Sequence, residues 1–418
     1  MKIAVVGGGS TYTPELVDGF GRLREVLPVD ELVLVDPAAE RLEPVAGLGR
    51  RILSRLGHPG TLTTTGDLDE AVDGADAVLL QLRVGGQAAR QQDETWPLVC
   101  GCVGQETTGA GGLAKALRTV PVVLDIADRV RKANPDAWIV DFTNPVGIVT
   151  RALLTAGHRA VGLCNVAIGV QRRFATRLGV APEEVRLDHV GLNHLTWVRR
   201  VLVDGVDRLP EQLAEDADGL ADGLGLPPGL LTRLGVLPSY YLRYYYAHDA
   251  VVREQRTAPT RAEEVADIEQ RLLASYADER LDTLPELLTR RGGAYYSEAA
   301  VALCASLLGT GADPVQVVNV RNDGTLPFLP DDAVVEVPAR IDHHGPVPLP
   351  VDPLAPLYAG LVAAVTAYEH LALDAALRGG RDRVFDALLA HPLVGQVDRA
   401  DRLTDELVAH NRDHLAWA

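Results

Sequence analysis

The chain has 418 residues, 47% of them hydrophobic and 23% charged, which is enough material for two or three domains with sizeable cores. A formal net charge of −17 argues against a binder of nucleic acid or acidic membrane, and leaves any anionic ligand dependent on local arginines. The four cysteines, Cys100, Cys102, Cys164 and Cys304, match no disulfide framework, zinc knuckle or CxxC redox pair; with no signal-peptide core and no apolar stretch of the ~18 residues a membrane span requires, a cytoplasmic location is expected.

In chain order, residues 2–6, KIAVV, read as a buried strand, followed by GGGST and by helical spacing over 13–23. Residues 31–36, ELVLVD, read as a second strand ending in an acid, and a helix runs on to about residue 56. Further strands are expected at 75–82, 137–142 and 159–164, with a long helix over 113–134. This alternation predicts a Rossmann-type doubly wound parallel sheet over residues 1–170. After about residue 170 the pattern changes. Residues 184–204 read as antiparallel strands with a turn at Asp204–Gly205, 208–238 as surface loop with short helices, and 262–290, 295–308, 353–378 and 380 onward as helices. Strand-like returns are expected at 315–320 and 333–337, which together predict an α+β domain over 171–418.

Gly7, Gly8 and Gly9 allow the backbone to approach a pyrophosphate, and the helix that follows Ser10 and Thr11 directs unpaired N–H groups at it. Asp36 stands where a carboxylate accepts the adenosine ribose hydroxyls and repels a 2′-phosphate, which favours NAD over NADP. The loop is not a full GxGxxG, since Tyr12 replaces the third glycine; a tight turn without ligand is the competing reading. Cys164 in GLCN and His194 in GLNHLTW come from the two halves and could share a metal ion with positions left open for substrate, although a buried cysteine and a core histidine are the commoner occurrences of such residues. Asn144 in DFTNPVG, Arg83, Arg90, the run Gln105, Glu106 and Thr107, the tyrosine-rich LPSYYLRYYYAHD and Arg291 in RRGGAYYS are further polar features near strand ends or loops.

KIAVVGGGSTYTPEL, RVGG with Arg90, VGQETTGAGG, DFTNPVGIVT, GLCN, GLNHLTW, PSYYLRYYY, RGGAYYS and VEVP together make the chain resemble glycoside hydrolase family 4, the NAD- and metal-dependent glycosidases, over nearly its whole length. The resemblance implies a lactate/malate dehydrogenase-like architecture and hydrolysis by a redox route. Hydride passes from the sugar's C3 to NAD, a base removes the C2 proton, the C1–O bond breaks by elimination, water adds, and the hydride returns. It further implies that Cys164 and His194 hold a divalent ion, manganese first, that a tyrosine is the base (Tyr241, with Tyr240 and Tyr244 as alternatives), and that Asn144 serves cofactor and substrate. Asn165 stands where the α-acting members carry Asp and the non-phosphorylated branch His. That points to a 6-phospho-β-glucosidase taking a phosphorylated disaccharide or aryl β-glucoside 6-phosphate, with Asn165, Arg90 and Arg291 on the substrate. The alternatives are a 6-phospho-α-glucosidase, a lactate/malate-type dehydrogenase and a non-enzymatic NAD or sugar-phosphate binder. A homodimer or homotetramer is expected from the resemblance.

Overall fold

Short β-branched and leucine-rich runs with no polar face can only be buried on both sides, and five of them pair in parallel together with a sixth, polar strand. They are β1 (Lys2–Val6), β2 (Glu31–Val35), β3 (Thr61–Thr65), β4 (Ala77–Leu80), β5 (Trp138–Asp141) and β6 (Ala160–Gly162), ordered β3-β2-β1-β4-β5-β6 across the sheet. β3 was not expected: TLTTT follows a Gly-Pro turn and is polar and partly exposed, as suits an edge strand of this sheet. Helices α1 (Thr13–Arg22), α2 (Ala39–Arg55), α3 (Leu68–Val72), α4 (Gly86–Thr95), α5 (Gly109–Ala133), α6 (Val146–Thr155) and α7 (Val166–Leu178) occupy the connections. The computed structural model describes residues 1–293, 295–311 and 315–418; Ala294, inside RGGAYYS, lies outside the described residues.

The later strands extend the same sheet instead of forming a separate one. β11 (Val315–Arg321) lies antiparallel to β6 and β12 (Val334–Asp342) antiparallel to β11. β7 (Val185–Leu192), β8 (Leu195–Val203) and β10 (Leu237–Pro238) continue outward from β12, while β9 (Val206–Asp207) and β13 (Gly345–Pro348) pair to the side. The expected turn at Asp204–Gly205 joins β8 to β9, with both residues at positive φ. A tighter reversal, not foreseen, is the two-residue turn Asn193–His194 between β7 and β8, where Leu192 faces Leu195.

The long helical reading over 262–290 resolves into Arg261–Tyr276 and a short turn at Leu288–Arg291, and the short helices expected over 208–238 are Leu209–Ala221, interrupted by a non-helical Asp216, and Pro228–Leu234. Contrary to the expectation of no span-length apolar stretch, Pro356–Arg378 has the length and apolar composition to cross a membrane, with mean hydropathy 1.2 over its best 18 residues. In the fold it packs against α5 and α6 and buries Val362, Tyr368 and Glu369. All four cysteines are free.

Candidate active site

Parallel sheets gather loop residues at the carboxyl ends of their strands, and a large cleft lies there. A cavity of about 1340 Å³ is lined by Gly7 and Gly9 after β1, Asp36 after β2, Gln81 to Arg83 after β4, Asn144 after β5 and Asn165 after β6. His194, Tyr241, Glu269, Arg291 and Tyr296 line it from the second half.

The glycine loop is shaped by its own backbone. Gly7 sits at φ +88, and a Cβ there would stand 2.8 Å from the carbonyl oxygen of Gln81. Asp36 accepts the Gly9 N–H at 3.0 Å and, through its other oxygen, the Ala38 N–H at 2.9 Å. The second half grips this loop. Arg291 Nε donates to Thr11 Oγ1 at 2.7 Å, the Tyr276 hydroxyl donates to the Thr11 carbonyl at 2.6 Å, and the Tyr12 hydroxyl donates to the Gly293 carbonyl. Glu269 pairs with Arg41 at 3.2 Å and with Arg291 at 3.1 Å. Arg291 is therefore a half-buried strut between the two halves. Asn144 keeps its buried side-chain carbonyl oxygen without a hydrogen-bond partner among the described residues, an acceptor that a bound hydroxyl would satisfy. A glycine cradle beside a carboxylate and an orphaned acceptor fits a dinucleotide.

Cys164 follows β6 and is 4% exposed. The N–H groups of Asn165 and Val166, at the start of α7, and the Asn193 amide hydrogen-bond its sulfur; burial, with the Glu336 charge adding to it, nonetheless pushes the thiol well above its usual range. His194 sits at φ +64, left-handed backbone that a non-glycine residue adopts at a cost of about 1–3 kcal/mol, and this throws its ring out of the hairpin tip. Burial lowers its pKa to about 4, so the ring is neutral and has a lone pair to give. Asn193 bonds Cys164 and directly precedes His194, which ties the end of β6 to the hairpin tip; His194 lines the glycine-loop cleft, while Cys164 lines a second cavity of about 850 Å³. No cluster of three potential ligands occurs among the described residues. A thiol with a neutral imidazole and open positions is a donor set suited to a catalytic divalent ion, though thiolate ligation is not the preference of a hard one.

Of the tyrosine run, Tyr241 alone lies flat on His194, with ring centroids 3.6 Å apart and planes 5° from parallel. It belongs to a single turn, Tyr240–Leu242, followed by the short helix Arg243–Tyr246. Tyr240 is 39% exposed and edge-on to Tyr241, and Tyr244 is buried behind both. Burial, followed by the charges of Cys164 and Glu106, pushes the Tyr241 phenol well above its usual range.

Beside these residues lies a cluster of charges. Buried Glu106 accepts from Lys115 Nζ at 2.6 Å, from Arg83, and faces Arg90 Nε at 3.2 Å. Burial opposes its ionisation, but the three cations outweigh that and hold it well below the usual carboxylate range. Arg90 also binds Glu94 at 2.7 Å. On the far side, buried Glu336 accepts from His189 Nε2 at 2.9 Å, Asn193 Nδ2 at 2.9 Å and Asn319 Nδ2 at 3.1 Å. A β-ladder irregularity between Asp188 and His189 lies next to that contact. Sequence reasoning had no role for Glu336, Glu269, Lys115 or Tyr296. The visible signal for Glu336 was an acid inside the apolar strand run VVEVP, a residue type that is buried only when paired.

The profile described as Family 4 glycosyl hydrolase matches residues 2–180, and that of the Family 4 glycosyl hydrolase C-terminal domain matches residues 189–394. A 6-phospho-beta-glucosidase of Escherichia coli K12 is 36% identical over 435 residues, covering 99% of this chain and 96% of the relative. The structure of a 6-phospho-beta glucosidase from Thermotoga maritima with manganese, NAD+ and glucose-6-phosphate is similar with a TM-score of 0.90 at 33% identity, covering 99% of both chains. A lactate dehydrogenase from a deep-sea metagenome shares the fold alone, with a TM-score of 0.56 at 14% identity over 90% of this chain and 98% of that one.

Proposed function

Because the chain belongs to the family 4 glycosyl hydrolases, we propose that it hydrolyses 6-phosphorylated β-glucosides with NAD and a divalent cation, manganese first, as cofactors. The observation that carries this reading is the stacking of Tyr241 on His194 in the cleft that holds the glycine loop, with Cys164 hydrogen-bonded to Asn193, the residue before His194. When bound, NAD supplies a reversible hydride acceptor for the sugar's third carbon, and the cation supplies Lewis acidity for the oxygens on carbons 2 and 3.

The protein's own groups divide the remaining work. Gly7, Gly8 and Gly9, with Ser10 and Thr11, form the cradle that lets the backbone approach the dinucleotide phosphates, the N–H groups of Gly7 to Ser10 being held by Val35, Asp36 and the loop itself, and Asp36 takes the ribose hydroxyls. Asn144, with its unpaired carbonyl, orients a hydroxyl of cofactor or sugar. Cys164 and His194 would hold the cation, and its positive charge would then stand beside the Tyr241 ring. Burial raises the phenol pKa, positive charge at that position would lower it, and Tyr241 is the group that takes the proton from the sugar's carbon 2. Asn165 lines the same cavity and can donate a hydrogen bond to the leaving group but no proton. Arg90 and Arg291 line it as well and meet the 6-phosphate. Residues 1–170 carry the dinucleotide and also supply Cys164 and Asn165, while 171–418 form the substrate- and metal-binding half with His194, Tyr241 and Arg291. The resemblance also supports a cytoplasmic homodimer or homotetramer.

The test is a paired assay of α- and β-linked nitrophenyl 6-phosphoglucosides, with and without NAD and manganese. Turnover of the β-isomer that requires both additions supports the reading. Turnover of the α-isomer, or undiminished activity after dialysis and chelation, overturns it.

A further inference from the structure

Gln105 and Thr107 belong to GQETTG, a motif given no role among the ligands and bases above. Thr107 Oγ1 lies 3.0 Å from His194 Nδ1 and 2.8 Å from Gln105 Oε1, and the backbone N–H of Thr107 bonds that same Gln105 oxygen. A backbone N–H can only donate, so the Gln105 atom facing it is the carbonyl oxygen, an acceptor. The Thr107 hydroxyl shares that acceptor and must spend its single proton on it. Towards His194 it has only lone pairs left, so Nδ1 of a neutral His194 ring carries the proton and Nε2 carries the lone pair.

We propose that Thr107, aligned by Gln105, is a positioning residue that locks His194 in the Nδ1–H tautomer and so reserves Nε2 for the divalent cation. This rests on the assignment of His194 as a cation ligand under the function proposed above. Hydrogen bonds to the far nitrogen of a ligating histidine fix its tautomer and ring orientation, and their loss costs about 10–100-fold in metal affinity. Thr107 is half-buried in the bend that precedes α5, so an isosteric change there spares the core.

The experiment titrates Mn2+ against the NAD-loaded protein, reading free Mn2+ by paramagnetic resonance, for wild type, Thr107→Val, Thr107→Ser and His194→Ala. NAD affinity is measured in parallel by fluorescence. Thr107→Val is expected to weaken Mn2+ binding about 10–100-fold, Thr107→Ser to stay close to wild type, and NAD affinity to stay unchanged in all. Nitrogen-15 spectra of the metal-free wild type, with the His194 signals identified by their loss in His194→Ala, should show the Nδ1-protonated tautomer, and Thr107→Val should mix the two. Wild-type affinity in Thr107→Val, equal weakening in Thr107→Ser, or an Nε2-protonated wild type would overturn the proposal. If His194→Ala binds Mn2+ as wild type does, the ligand assignment itself fails, a result separable from failure of Thr107 alone.

Discussion

A phenol stacked on a neutral imidazole and shut away from water is a poor base until positive charge arrives beside it. Tyr241 is in that position: burial and neighbouring anionic groups raise its pKa, and the ligands that would bring a cation are the ring beneath it and the nearby Cys164 thiol. Tyr241→Phe should therefore lower kcat by about 10²–10⁴ while NAD and Mn2+ still bind. The rate of wild type should rise with pH as the phenol ionises, and Tyr241→Phe should lose that limb; a retained limb would place the base elsewhere. Cys164→Ser should weaken Mn2+ binding and leave NAD binding nearly intact, as read by titration of each; equal loss of both would indicate a folding defect. Cys164, His194 and Tyr241 stand out in the sequence because each motif that holds them has a counterpart role in the family it resembles. Thr107 and the VEVP motif of Glu336 are visible in the sequence without their roles, because both act through hydrogen bonds between segments remote in sequence, and no local spacing records that Asn193 would tie Glu336 to Cys164.

At the scale of elements, the GQETTG bend reaches the site because α5 begins with small residues. A Cβ on Gly112 would stand 2.6 Å from the carbonyl carbon of Thr107, a backbone atom that cannot yield without moving the bend. Gly112→Ala should cost about 1–3 kcal/mol of stability from overpacking and should weaken Mn2+ binding through the displaced Thr107. Thermal unfolding and Mn2+ titration check the two effects, and full affinity for Mn2+ in a destabilised variant would show that the bend does not position His194. Periodicity located β1, β2 and β4 to β6 because parallel strands buried on both faces are short apolar runs. It missed β3 because TLTTT is polar, and it missed the Asn193–His194 turn because nothing in local chemistry reports a non-glycine residue held at positive φ.

At the scale of the molecule, one sheet runs from β3 to β10, an order that sequence pattern cannot give because it depends on β11 meeting β6 across more than 150 residues of chain. Titration of buried groups then sets how stability varies with pH. His391 is buried and its pKa is lowered to about 3; its contribution is full above the unfolded value near 6.5 and is lost as pH falls from there towards 3. Glu369, raised to about 7 by burial, acts in the opposite sense: the fold keeps it protonated, so its contribution is present at low pH and is lost as pH rises from about 4.5 through 7. Glu369→Gln should therefore raise Tm relative to wild type at pH 8 and make little difference near pH 4; an equal shift at both values would contradict that ionisation. The central claim is also one about the assembled molecule, that groups from both halves of the sheet remove a proton from the sugar's carbon 2 during hydrolysis. The direct measurement is turnover of an aryl 6-phospho-β-glucoside in deuterated buffer with NAD and manganese, with the product read by NMR. Deuterium at carbon 2 of the released sugar phosphate is the predicted result, and a product carrying only protium there would contradict it.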